Sequence, residues 1–196
     1  MRLDETPGLN LSTLTRRGFV IGTAMAAASP RGVSAAGQVP FDNWKAISHA
    51  KSWCGKKSNP CGKYFEGGKY SDCAHFVAHC LAAGGLKIKA DPGFNPCPDG
   101  LAVRNTDLVA ALRDFIKKGH SNVTEIGLSD AIIGDIGFLD RPDRPYHAFM
   151  IAAPVDLRKI PPPAVQVWAH SVSRCSEAMD AQWKQWFSSA FRITDG

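Results

Sequence analysis

Tyr70-Ser71-Asp72-Cys73-Ala74-His75-Phe76-Val77-Ala78-His79-Cys80-Leu81-Ala82-Ala83-Gly84-Gly85 is the stretch whose reading decides the fold. Cys73, Phe76, Val77, Cys80 and Leu81 fall at i, i+3, i+4, i+7 and i+8, the spacing of a buried helical stripe. Ser71 or Asp72 suits the N-cap, and Gly84-Gly85 ends the helix. Cys73 then lies in the first turn, where the partial positive charge of a helix N-terminus favours a thiolate over a thiol. Backbone N–H groups there can also hold an oxyanion. A core cysteine at the top of a packed stripe has the same pattern.

Working outward, Phe41 to Cys54 reads as a first helix, with Trp44, Ile47 and Ala50 or Lys51 at helical spacing. Residues Cys54 to Tyr70 and Lys89 to Gly100 read as loops, rich in Gly and Pro. Asn105 to Lys118 reads as a third helix, with Leu108, Leu112, Phe115 and Ile116 inward. The character then changes. Ile136 to Leu139, His147 to Ala152 and Val165 to His170 have the length and apolar content of strands. Pro161-Pro162-Pro163 lies between the last two, and the tail from Ser176 to Phe191 reads as a helix carrying Trp183, Trp186 and Phe187. Helices first and strands afterwards indicate an α+β domain of N-terminal helices packed on a small antiparallel sheet.

The first 36 residues read as an export signal rather than as part of the domain at 37–196. Arg16-Arg17 precede an apolar run from Phe19 to Ala28, and Val33-Ser34-Ala35-Ala36 offers a small-residue cleavage site. The paired arginines resemble a twin-arginine signal, which engages the twin-arginine export machinery. The run is too short to span a bilayer core of about 30 Å, so no stable membrane span is expected once the signal is cleaved. Cleavage near Ala36 removes four basic and two acidic residues, taking the formal charge from +5 to +3. A periplasmic or secreted bacterial protein is expected. With 44% apolar and 21% charged residues the chain can bury a core without metal or disulfide staples. Its mild charge carries no basic stripe with interleaved aromatics, which argues against a nucleic-acid module.

Asp72-Cys73, then Phe76-Val77 and Ala83-Gly84-Gly85, resembles the nucleophile helix of the NlpC-like, CHAP-related cysteine amidases, which have a papain-like core. Tyr64-Phe65-Glu66-Gly67-Gly68 resembles their Tyr-x-x-Gly-Gly turn, with a shorter spacing to Asp72. Gly134-Asp135-Ile136-Gly137-Phe138 and Tyr146-His147-Ala148-Phe149-Met150-Ile151 resemble their Gly-Asp-Ile strand and the histidine strand after it. The resemblance implies Cys73 as nucleophile, His147 as base, His170 as the polar residue that orients the base, and Asp72 and Tyr64 as oxyanion or site neighbours. It also implies acyl transfer to water without cofactor or metal, on peptidoglycan or another peptide substrate.

Helix geometry separates the other imidazoles from the thiol. His75 and His79 lie about 200° and 240° around the helix from Cys73, and read as surface or partner-packing residues. The remaining cysteines, Cys54, Cys61, Cys80, Cys97 and Cys175, suit up to two disulfides with one thiol left over, Cys54 with Cys61 being the preferred pair. A structural zinc on Cys54, Cys61 and helix residues is the rival, disfavoured by the lack of a Cys-x-x-Cys. Two other functions stay open: an acyltransferase or thioesterase on a small or lipid-linked acyl group, and a non-catalytic secreted wall-binding module.

Overall fold

The computed structural model describes residues 37–56, 72–93, 97–141, 144–153, 164–171 and 173–196. Three helices come first: α1 (Asn43–Trp53), α2 (Cys73–Ala83) and α3 (Asn105–Lys117). The second half contributes β1 (Val123–Ile126), β2 (Ile136–Arg141), β3 (Arg144–Ala153), β4 (Gln166–Ala169) and β5 (Arg174–Ala178). A short helix, α4 (Ala181–Trp186), leads into β6 (Phe187–Ile193). The six strands form one antiparallel sheet in the order β1-β6-β2-β3-β4-β5. The α+β class is therefore as expected. The tail is not: the helix expected over Ser176 to Phe191 is replaced by β5, α4 and β6. Only Trp183 and its neighbours keep helical geometry, and Phe187 onward pairs with strands on both sides, so tertiary pairing overrides the local pattern.

Both faces of the sheet are covered. On one, Phe138, Ala148, Met150, Ala152, Trp168 and Phe191 pack against Ala46, Phe76, Val77, Leu81, Leu108 and Leu112 from the three long helices. On the other, Leu139, Phe149, Ile151, Val167 and Ala169 pack against Met179 and Trp183. Helix α2 is the centre of the first layer. Besides the expected stripe, Ala74, His75 and Ala78 are buried, so the helix is enclosed nearly all round. A fully buried side chain of Phe or Leu size contributes about 1.5–3 kcal/mol, so this helix is a major source of stability. α1 buries Ala46, Ile47 and Ala50, whereas Trp44, expected on its inner stripe, is 68% exposed.

Two polar clamps close the structure. Asn122 accepts the Val39 N–H through Oδ1 at 2.8 Å and donates through Nδ2 to the carbonyls of Val39 (2.8 Å) and Thr194 (2.9 Å). It thereby ties the segment before α1 to the end of β6. Asp135, from the Gly-Asp-Ile stretch, accepts from Arg192 Nε at 3.1 Å and Nη2 at 2.9 Å, and from the Ile132 N–H at 2.6 Å. Gly137 is required for another reason: a Cβ there would lie 2.3 Å from the Phe149 ring, which crosses the strand at that point.

Asn122→Ala leaves three backbone groups without their partner and should cost about 2–3 kcal/mol. A fall of that size in urea-unfolding free energy checks it, and an unchanged value contradicts the clamp. Asp180 caps α4 by accepting the Trp183 N–H at 2.8 Å. That bond, followed by Arg174, holds its carboxyl below the usual value of 3.8. Its contribution is complete above pH 3.8 and is lost as pH falls through the depressed folded value. Asp180→Ala should therefore cost about 1 kcal/mol near neutrality. The difference from wild type should vanish in strong acid, as measured by unfolding across a pH series.

Candidate functional site

The start of α2 is built from both halves of the chain. Asp72 occupies the N-cap position, but its carboxylate does not cap the helix. Instead Asp72 Oδ2 lies 2.6 Å from His170 Nδ1, both side chains being almost completely buried. The His170 ring stacks on Phe76, centroids 4.4 Å apart and planes 16° apart, and its Nε2 lies 2.8 Å from the Trp53 carbonyl oxygen. That carbonyl can only accept, so Nε2 carries a proton. The bond from Nδ1 to the carboxylate commits the other nitrogen. The neighbouring Ser171 accepts the Asp72 N–H through Oγ at 2.7 Å. Its backbone adopts φ 71°, a left-handed conformation that costs a non-glycine residue roughly 1–3 kcal/mol.

Cys73 follows as the first residue of α2. It is 1% exposed, and the Asn105 carboxamide lies against its sulfur, Nδ2 at 3.6 Å and Oδ1 at 3.8 Å. An N–H donated to sulfur supports a thiolate. Asn105 opens α3 and is itself buried. Cys80, two turns further along α2, is the contrasting case: burial pushes its thiol well up, as for an inert core cysteine.

His147 is not brought to Cys73. It pairs with Leu139 across β2 and β3 and shares its face of the sheet with Phe149 and Ile151. Its ring meets Trp183 edge-on at 4.8 Å, in the layer formed by α4. Its strand neighbours Ala148 and Met150 are the ones facing the α2 layer. Alternation along a strand places successive side chains on opposite faces, so one residue of parity separates His147 from the thiol. His147 Nε2 is buried with no hydrogen-bond partner among the described residues. His170 shares its parity with Trp168 and faces α2, so it cannot orient His147 as expected. Tyr64 and Ser71 lie outside the described residues.

Of the two positions expected for His75 and His79, surface or packed against a partner, His75 takes the packed one and is wholly buried, while His79 is partly exposed. His49 stacks on both Trp53 and His79. Burial first, then the neighbouring His79, holds His49 down to about 4. Burial followed by His75 holds His79 below the ordinary imidazole range, so both rings are neutral near pH 7.

The preferred Cys54–Cys61 pairing is not formed. Cys54 is bonded to Cys175, because the β4–β5 hairpin brings the latter to the end of α1, with a Cα–Cα distance of 5.2 Å. That bond removes Cys54 from any zinc site; Cys61 lies outside the described residues. Cys97 is also disulfide-bonded, whereas Cys73 and Cys80 are thiols. The Cys54–Cys175 link sits one residue from the Trp53 carbonyl that holds His170. A groove of about 380 Å³ lies beside α3, lined by Thr106, Val109, Arg113, Asp140 and Ser189 among others. Neither the thiol nor any imidazole lines it.

Asn105, Ser171 and the Trp53 carbonyl were not foreseen as site groups. Asn105 at the start of a predicted helix has the pattern of an end-of-helix residue, and nothing local marks it as a neighbour of Cys73.

Removing the Cys54–Cys175 bond by double substitution to serine should cost about 2–5 kcal/mol, given the 121-residue separation. Calorimetric unfolding measures it; a variant as stable as the parent would show that the link constrains nothing.

No family model matches the chain, and no curated protein matches it either.

Proposed function

We propose that the protein is an exported thiol hydrolase of amide bonds on a papain-like core, with Cys73 as nucleophile and His170, rather than His147, as its proton partner. The observation that carries this reading is the placement of a thiol in the first turn of α2, against the Asn105 carboxamide and one residue from the Asp72–His170 pair. In this reading the Cys73 thiolate attacks the carbonyl carbon and forms a C–S bond. Backbone N–H groups of the first turn hold the oxyanion. The C–N bond breaks as the leaving amine takes a proton from the His170 side, and water then hydrolyses the thioester and returns the thiol. Reaching the reacting atoms requires His170 to release one of its two acceptors. The resemblance to NlpC-like amidases and the export signal favour a peptide bond of peptidoglycan as substrate, and a periplasmic or secreted location. Among the described residues no helix is long and apolar enough to cross a membrane.

A second reading has its own support. The thiol is 1% exposed, and the groove beside α3 excludes it. Both fit a wall-binding module that keeps the fold without turnover.

The mature protein incubated with purified muropeptides, followed by mass spectrometry, tests both. Cys73→Ala should abolish cleavage, and His170→Asn should lower it by roughly 10²–10⁴, the range for loss of a general acid–base. His147→Ala should leave turnover within a few-fold of wild type. Loss of turnover in His147→Ala with retention in His170→Asn, both folded by circular dichroism, would reverse the assignment. Wall binding and biological effect retained in full by Cys73→Ala would favour the non-catalytic module.

A further inference from the structure

The flank of α2 turned away from the thiol carries a second constellation. His75 and His79 are one helical turn apart, and their Nε2 atoms lie 3.1 Å from each other. Asp99 Oδ2 lies 2.9 Å from His79 Nε2 and 3.3 Å from His75 Nε2. Three ligand-type atoms therefore form a triangle with edges of 2.9–3.3 Å. Donors placed 2.0–2.1 Å from a tetrahedral zinc are about 3.3 Å apart, so the triangle matches one face of such a site. It also matches the spacing of hydrogen bonds, and the protons decide between the two.

His75 Nδ1 faces the Ala102 carbonyl oxygen at 3.4 Å, which can only accept. A proton on Nδ1 leaves the Nε2 of the neutral ring as a lone pair, directed at the other two groups. A backbone carbonyl holding the outer ring nitrogen is the usual arrangement behind a metal-bound histidine, because it fixes the tautomer. The Asp99 carboxylate is likewise an acceptor. Without a cation, a proton on His79 Nε2 must serve both His75 and Asp99; a cation at the centre satisfies all three. The support is preformed. His75 is completely buried, His79 is stacked by His49 with planes 10° apart, and Asp99 Oδ1 accepts the Leu101 N–H at 2.9 Å. His79 and Asp99 keep partial exposure, which provides an entry route.

We propose that His75, His79 and Asp99 form a binding site for a divalent transition metal of the zinc class. Two imidazoles and one carboxylate are the donors such ions take, and calcium or magnesium would require more oxygen. The Cys97 sulfur lies within 4.8 Å of a ring nitrogen of His75 and a carboxylate oxygen of Asp99. It is held in a disulfide and so offers no thiolate. The fourth position is left to water or an exogenous ligand. This site is independent of the thiol reaction, and neither assignment requires the other.

Calorimetric titration of the mature protein, disulfides intact, with Zn²⁺ alone should give one equivalent bound. His79→Ala and Asp99→Asn should each weaken binding by roughly tenfold or more. Cobalt(II) should give the visible absorption of a four-coordinate site in the wild type and lose it in both variants. If His79→Ala fails to fold by circular dichroism, Asp99→Asn decides the matter. Lack of Zn²⁺ binding by the wild type, or unchanged affinity in the folded variants, would overturn the proposal.

Discussion

The contact between Asp72 and His170 holds the two halves of this molecule in their working arrangement. The residues are 98 positions apart, yet their side chains meet at 2.6 Å out of reach of solvent. One belongs to the N-terminus of the central helix and the other to the end of a sheet strand. Ser171 reinforces the junction from the sheet side, and the Trp53 carbonyl from α1. Removing one member of such a buried pair leaves an uncompensated polar or charged group, which is far more costly than never having had the pair. The placement of the thiol, the stacking of His170 on Phe76 and the position of α1 all follow from this junction.

Strand parity then decides which imidazole can share a compartment with that thiol. His147 lies on β3 and His170 just past the end of the adjacent β4, but one faces the α4 layer and the other faces α2. The layer between sheet and helices thus contains an imidazole already engaged by two acceptors, while the opposite layer contains one packed against tryptophan. A chemistry that uses the first must include a rearrangement at the junction. This couples any catalytic step to the same contact that fixes the fold.

Helices α2 and α3 were legible because their apolar spacing is kept: Leu108 and Leu112 of α3, and Phe76, Val77, Cys80 and Leu81 of α2, are buried as that spacing predicts. The facing of His147 was not legible. Ala148, Phe149, Met150 and Ile151 are all fully buried, because β3 is covered on both sides. A strand enclosed in this way shows no alternation of apolar and polar residues from which its parity could be read. β1 is four residues long and falls below any periodic signal. The Cys54–Cys175 bond was hidden for a related reason: its second member lies on β5, whose last three residues, Ser176 to Ala178, read as the start of a helix. The cluster on the far side of α2 was visible only as an angle, since Asp99 comes from a loop whose path the sequence does not specify.

The position of β6 has a consequence for how the chain acquires its structure. It lies between β1 and β2, interior to the sheet, although it is the last strand in sequence. Until Phe187–Ile193 is available, β1 lacks its one neighbour among the described residues and one edge of β2 is open, with main-chain groups exposed to chance partners. The nascent polypeptide can therefore gather its helices as it emerges from the ribosome, but it cannot close its sheet until this strand has been made. Sheet closure waits for that strand, and chaperones that shield exposed strand edges have their opportunity in the interval before it.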